Sequence, residues 1–127
     1  MKQVTKYQPT PSELEILHIL WARGPSTVRE IHEVLSKEKD VGYTSALKFL
    51  QIMTTKGLVK RTEEQRAHVY SASESAEKTK QQFAADVLQR VFRGSASQLM
   101  QHVLSGKRSK TELDEIRRML DEYERKL

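Results

Sequence analysis

The sequence contains no cysteine and no asparagine. Without cysteine, disulfides, thiolate metal ligands and cysteine nucleophiles are excluded. Without asparagine, N-glycosylation is excluded and one of the side chains that read adenine in DNA is missing. No apolar stretch approaches the roughly 20 residues of a membrane span, and residues Met1–Thr5 contain no apolar signal core. We therefore expect a cytoplasmic protein that needs neither a cofactor nor a metal.

Features of enzymes are also scarce. The histidines are scattered over different segments without carboxylate or cysteine partners at metal-ligand spacing. No glycine-rich phosphate loop occurs. The serines cluster near predicted helix starts, where a capping role explains them. The sequence therefore predicts a protein that is not an enzyme.

The charge distribution indicates an anionic partner. The chain carries a net charge of +5, and its pI is near 9.5. Its densest basic cluster spans residues 41–62, which contain Lys48, Lys56, Lys60 and Arg61 and no acidic residue. Because a solvated helix usually mixes charges of both signs, this segment favours contact with nucleic acid.

Two helix starts follow each other closely. Thr10 precedes Glu13 by three residues, and Thr27 precedes Glu30 by three residues, which is the spacing of a capping box. In a capping box the threonine hydroxyl accepts from the backbone amide of the glutamate, and the glutamate side chain accepts from the backbone amide of the threonine. Gly24 is a suitable terminator for the first helix. The apolar periodicity predicts helices over residues 11–23 and 28–37.

A third helix is predicted over residues 43–55, and two short strands over residues 58–62 and 67–71, with residues 63–66 joining them. Three helices followed by a hairpin form the winged variant of the helix-turn-helix. The hairpin connection contains no glycine, so its turn geometry stays open. The predicted fold is mostly α with a small β-hairpin: residues 1–73 form a winged helix-turn-helix DNA-binding domain, and residues 74–127 form a second lobe.

The third helix has a core face and a polar face. Ala46, Phe49, Leu50 and Met53 share one side at the helical period, and hydroxyl, amide and ammonium groups share the other. The polar groups suit contacts with phosphates and base edges. The candidate DNA contacts are Tyr43, Thr44, Ser45, Lys48, Gln51 and Thr55 on the helix and Lys60, Arg61, Arg66 and His68 on the hairpin. An ordinary solvated face is the alternative, and Ile52 suits either a thymine methyl or the edge of the core.

The second lobe consists of three short helices, predicted over residues 76–92, 96–104 and 111–125. Their apolar stripes are too large for some fifty residues to bury alone, so we predict that two copies pair through them. Folding back onto the winged domain is the alternative. The candidate dimer contacts are Phe83, Val87, Val91, Leu99, Val103, Ile116 and Leu120.

Specific sequence strings resemble the penicillinase-repressor family of transcriptional regulators (BlaI/MecI type). Trp21 and the string Gly24–His32 are similar to the family's N-terminal signature. Tyr43–Leu47 resembles its recognition helix, Lys56–Val59 resembles the exit into the wing, and Val91–Ser95 resembles a hinge of the dimerisation lobe.

The resemblance implies a homodimeric repressor that binds a palindromic, double-stranded operator. In the family's β-lactam-sensing branch, a membrane sensor protease triggers cleavage of the repressor at an Asn-Phe pair, which corresponds here to Gln101-His102. The copper-responsive branch carries a C-terminal cysteine motif, which this chain lacks. A winged-helix protein-interaction module that does not bind DNA is the alternative function, and salt-dependent binding to duplex DNA distinguishes the two.

Overall fold

The computed structural model describes residues 8–127. Residues Met1–Thr5, for which no signal core is expected, lie outside the described residues. The described chain falls into two compact units, one ending at Ala85 and the other spanning Asp86–Leu127. This division by packing lies within a helix, so the functional boundary expected at residues 73 and 74 stays a prediction.

The predicted fold class, six helices with a small sheet, is confirmed. The elements are α1 (Pro11–Arg23), β1 (Ser26–Thr27), α2 (Val28–Leu35), α3 (Tyr43–Lys56), β2 (Val59–Glu64), β3 (Ala67–Ala72), α4 (Ala76–Arg90), α5 (Ala96–Leu104) and α6 (Lys110–Lys126). The second and fourth helices each end two residues earlier than their patterns predict, at Leu35 and Arg90.

Both capping boxes are present. The Glu13 and Glu30 amides donate to the Thr10 and Thr27 hydroxyls at 3.2 Å, and the glutamates accept from the threonine amides at 2.9 Å. The bond from the Thr27 amide is the main reason why the pKa of Glu30 lies below its ordinary value. The stability that this bond gives the folded state is therefore present near neutral pH, and it is lost as the pH falls through the lowered pKa of Glu30.

The core of the first unit lies where the three helices meet the sheet. Ile31, Leu50 and Met53 contribute fully buried side chains from α2 and α3, and Tyr70 is 1% exposed on β3. Trp21 packs against this cluster from α1. Its indole Nε1 donates to the Glu74 carbonyl at 2.9 Å, so it also ties α1 to the segment that leaves β3.

The sheet has three antiparallel strands in the order β1-β3-β2, and the predicted hairpin forms two of them. β1, which the sequence patterns did not indicate, pairs Ser26 with Tyr70 and Thr27 with Val69. A strand of two residues is too short to show alternation. Its pairing with a distant strand is decided by the packing of α2 against the hairpin.

The hairpin turn is tighter than the sequence predicts. Glu63 and Glu64 belong to β2, where they oppose His68 and Ala67, so only Gln65 and Arg66 form the connection. Both turn residues have positive φ, 48° and 69°. This is the geometry that matches the twist of paired strands, although glycine or asparagine usually occupies it. The expectation that the two glutamates lie in the connection is therefore wrong.

One buried carboxylate connects the first and third helices. Glu13 is 3% exposed, and besides capping α1 it accepts from Lys56 Nζ at 2.9 and 3.0 Å. Lys56 is the last residue of α3. The pair therefore joins the N-terminus of α1 to the C-terminus of α3.

We expect Glu13→Ala to lower the free energy of unfolding by about 2–3 kcal/mol, because the cap is lost and the half-buried Lys56 ammonium is left without its partner. Glu13→Gln should cost less, since glutamine retains the capping bond. Glu15→Ala is the matched control, because it removes the exposed ion pair with Lys39. Urea denaturation of the full chain measures all three. A Glu13→Ala protein no less stable than Glu15→Ala would contradict the assignment.

Candidate nucleic-acid interface

The outward face of α3 is fixed by the side chains on its opposite face. Ala46, Leu50 and Met53 are completely buried in the core of the first unit. Residues on the other side of the helix must then point to solvent. The exposed polar side chains of this face are those of Thr44, Ser45, Lys48, Gln51 and Thr55. Ile52, 41% exposed beside them, is not enclosed in the core.

Most polar groups of this face have no partner among the residues that the structure describes. Among residues 8–127, the side chains of Thr44, Ser45, Lys48 and Gln51 make no hydrogen bond or ion pair. The Thr55 hydroxyl differs, because it donates to the Gln51 carbonyl at 3.2 Å. The beginning of α3 is therefore the part of the face with the most donors free for an external ligand.

The N-terminus of α3 also differs from the other helix starts. Its N-cap is Gly42, which makes no side-chain bond, and its first turn contains no acidic residue. The other described helices are capped by the hydroxyls of Thr10, Thr27, Ser75, Ser95 and Ser109. The free amides and the positive end of the helix dipole at Tyr43 suit an anion such as a phosphate.

His32 contacts both ends of the segment that connects α2 to α3. Its Nε2 lies 2.7 Å from the Val41 carbonyl and 3.0 Å from the Ser36 hydroxyl. Its ring also meets the Tyr43 ring edge-on, with centroids 6.0 Å apart. The imidazole thereby links α2 to both ends of the connection that leads into α3.

An open groove joins α3 to the hairpin. Its walls include Arg29 on α2, Tyr43 on α3, and Arg66 and His68 at the hairpin tip. The structure thus brings together Tyr43, Arg66 and His68 from the predicted contacts. Arg29 was not predicted, although its exposed place in the first turn of α2, next to a basic third helix, was a usable signal.

The remaining predicted cations of the hairpin lie on opposite faces. Arg61 pairs with the buried Tyr70 across the ladder and shares its face, whereas Lys60 pairs with Ser71 on the other face. Both side chains are exposed. Because a flat surface cannot meet both faces of a ribbon at once, we expect only one of these two cations to contact a given stretch of DNA.

Lys56 has a different role from the other lysines of the basic segment. Its ammonium is neutralised by Glu13 at 2.9 Å and is only partly exposed. The segment of residues 41–62 therefore presents Lys48, Lys60 and Arg61 as its unpaired cations, in the part of the chain that the structure describes.

The candidate dimer contacts are only partly covered within the part of the chain that the structure describes. None of the residues of α4, α5 and α6 is buried. Val91 and Leu120 are 66% and 59% exposed. The other candidates, Phe83, Val87, Leu99, Val103 and Ile116, are partly buried. Phe83 lies in the first unit and the rest lie in the second.

The position that corresponds to the cleavage site is exposed and helical. Gln101 and His102 lie near the end of α5, and the His102 ring meets Phe92 at a centroid distance of 5.6 Å. Cleavage there stays a prediction. Within residues 8–127 no three His, Asp or Glu side chains are grouped as metal ligands, and no described helix has the length and apolar character to cross a membrane.

Comparisons with known proteins agree on the family. The penicillinase repressor family profile matches residues 9–122. The transcriptional regulator BlaI of Mycobacterium tuberculosis is 32% identical over 114 residues, which cover 88% of this chain and 82% of that protein.

Solved structures share the fold. The monomeric form of Bacillus licheniformis BlaI in complex with the blaP half-operator has a TM-score of 0.51 at 23% identity, over 61% of this chain and 92% of that one. The transcriptional regulator Tm0710 of Thermotoga maritima has a TM-score of 0.52 at 20% identity, over 92% of this chain and 78% of that one. The match to nearly the whole chain confirms the resemblance seen in its sequence strings: this protein belongs to the penicillinase repressor family.

Proposed function

We propose that the protein is a homodimeric transcriptional repressor that inserts α3 into the major groove of a palindromic operator. Membership of the family makes it a BlaI-like repressor with a DNA-binding winged-helix domain. It also confirms that the chain is not an enzyme, because the family consists of repressors. The contacts, the dimer and the form of the operator belong to the proposal.

The observation that carries the proposal is the outward face of α3. It is free of acid, and its side chains at Thr44, Ser45, Lys48 and Gln51 have no partner within the described chain. The major groove of B-DNA admits a helix of this width, and hydroxyl, amide and ammonium groups can bond to base edges and phosphates there.

The groove beside α3 supports contacts with the DNA backbone. Arg29 and Arg66 line the same groove as Tyr43, the first residue of the uncapped helix. Cations and amides in this arrangement suit phosphates that flank the major groove, which fix the protein's register without reading sequence. The hairpin would then add affinity more than specificity.

The dimer explains the form of the operator. The Bacillus licheniformis BlaI structure pairs a monomeric form with a half-operator, which supports one half-site per copy here. Two copies related by a two-fold axis place their recognition helices one or more helical turns apart, about 34–36 Å per turn. The exposed and partly exposed apolar side chains of α4, α5 and α6 supply the surface for that association.

The release of the operator has two candidate routes. The family's sensor-triggered cleavage corresponds to Gln101-His102, which is solvent-exposed. Because these residues are helical, a protease that requires extended backbone must first unwind the end of α5. The second route is a signal that separates the two copies without cleavage, which would lower the affinity for the operator because that affinity depends on the dimer.

Lys48 provides the first test. We expect Lys48→Ala to weaken binding about tenfold and to reduce the slope of log affinity against log salt by about one, because one phosphate contact is lost. Lys37→Ala, which removes an exposed lysine after α2, is the matched control and should change neither. The operator is selected from random duplexes by the parent protein. A Lys48→Glu protein that binds as tightly as the parent would exclude this contact, and a parent protein without salt-dependent binding would favour the protein-interaction module.

Arg66 provides a second test, because stability and binding should change in opposite directions. Arg66→Gly relieves a positive φ and should raise the free energy of unfolding by about 0.5–1 kcal/mol, yet it should weaken operator binding. Gln65→Gly is the control, since it relieves the neighbouring strain without removing a cation. Thermal denaturation and fluorescence anisotropy measure the two effects. If both variants bind as tightly as the parent, the hairpin tip does not contact DNA.

Leu120 tests the dimer. Leu120→Glu places a charge on an exposed apolar position, so the monomer should stay folded while association is lost. Affinity for the full palindrome should fall by about 100-fold, whereas affinity for a half-site should not change, because the second half-site is no longer intramolecular. Arg118→Glu is the control on the exposed side of the same helix. Sedimentation of the variant as a dimer, or equal losses on both DNAs, would contradict the model.

A further inference from the structure

α6 carries an apolar stripe with the spacing of a coiled coil. Leu113, Ile116, Leu120 and Tyr123 recur at alternating intervals of three and four residues, which places them on one side of the helix. Leu113 and Ile116 are partly buried, whereas Leu120 and Tyr123 are 59% and 67% exposed and Met119 beside them is 65% exposed. A stripe of this kind packs against another helix.

Charged residues border the stripe in a pattern that reverses along the helix. Glu112 lies near the start of one border and Lys126 near its end, with Met119 between them. On the other border, Lys110 lies at the start and Glu124 at the end. Each border therefore begins with one sign and ends with the other. Among the described residues, Glu112, Glu124 and Lys126 make no ion pair.

We propose that α6 pairs antiparallel with α6 of a second copy, in the register that packs Ile116 against the partner's Leu120 and Leu113 against the partner's Tyr123. The inference rests on the dimer of the proposed function and specifies how two copies meet. The two-fold axis crosses the apolar stripe midway along α6, at the level of residue 118, so Met119 of each copy lies next to the partner's Met119. The 17 residues of α6 form a helix of about 25 Å, long enough for four apolar layers.

Charge complementarity selects this orientation. Glu112 meets the partner's Lys126, and the symmetry makes this pair twice. Lys110, which lies 3.6 Å from its own Asp114, also approaches the partner's Glu124. The only like-charge approach is that of the two Arg117 side chains beside the axis. It is moderated because each of them is already bound to its own Asp114 at 3.3 Å.

The other arrangements leave more charges unmatched. A parallel pair brings Glu112 to the partner's Arg117 but gives Lys126 no acidic partner. An antiparallel pair shifted by one heptad relies on Leu127, which follows the end of the helix and is 90% exposed. In that register Lys126 faces the partner's Met119, so its charge is again unpaired.

Single cysteines distinguish these arrangements, because the chain has none of its own. Under mild oxidation of the full chain, Met119→Cys should form a disulfide-linked dimer and Leu127→Cys should not. Glu112→Cys and Lys126→Cys should each stay unlinked but should link when mixed. Linkage of Leu127→Cys without Met119→Cys would show a parallel pair, and linkage of Met119→Cys only with Lys126→Cys would show the shifted register. Either result overturns the proposal.

Charge exchange supplies an independent test. Glu112→Lys and Lys126→Glu should each raise the dimer dissociation constant about tenfold, since two symmetric ion pairs become repulsive. The double variant should return to the parent value, because the pairs re-form with their signs exchanged. Glu115→Lys changes the charge equally on the solvent side and should have no such effect. A double variant weaker than either single one overturns the proposal.

Sedimentation of the same proteins separates this inference from the proposed function. A parent chain that is dimeric and binds its operator, but does not link at Met119→Cys, leaves the repressor intact and excludes this arrangement of α6. A parent chain that is monomeric at micromolar concentration excludes both the dimer and the helix pair. Linkage in a dimer that binds no DNA supports the helix pair and contradicts the proposed function.

Discussion

The enclosure of one side of α3 is the constraint on which the proposed DNA-binding surface depends. Ala46, Leu50 and Met53 have no exposed surface, and because successive residues of a helix are separated by about 100°, their burial determines which side chains can reach a ligand. The ion pair between Glu13 and Lys56 anchors the far end of the same helix. A rotation of α3 by one residue would expose apolar surface and separate this pair.

The helix starts differ in whether their backbone amides have partners within the described chain. Hydroxyl caps satisfy the beginnings of α1 and α2, and His32 satisfies the carbonyl of Val41 in front of α3. The beginning of α3 itself has no side-chain cap, although it lies in a well-packed unit. Unsatisfied amides at a helix start are tolerated in water and become useful when a phosphate replaces that water.

The second unit has the opposite problem, because it has apolar side chains without a core to receive them. No side chain of α5 or α6 is buried, and Met119 and Tyr123 are about two-thirds exposed. A lobe of this size does not cover its own apolar surface, and a second copy is the partner that symmetry supplies most simply. The dimer that we propose would have two effects, since it would bury these side chains and make binding to the second half-site intramolecular.

The sequence alone was sufficient to determine the helices, the capping boxes, the buried and exposed faces of α3, and the family. These features depend on residues three or four positions apart, and local hydrogen bonds and helical periodicity are readable over such distances. The tertiary structure decided the rest: β1 exists only because Ser26 and Thr27 meet β3, and Lys56 is neutralised by a residue 43 positions away. It also brought Arg29 beside the hairpin tip and closed the turn at Gln65 and Arg66. Such outcomes depend on which distant surfaces pack together, and no local pattern in the chain encodes that packing.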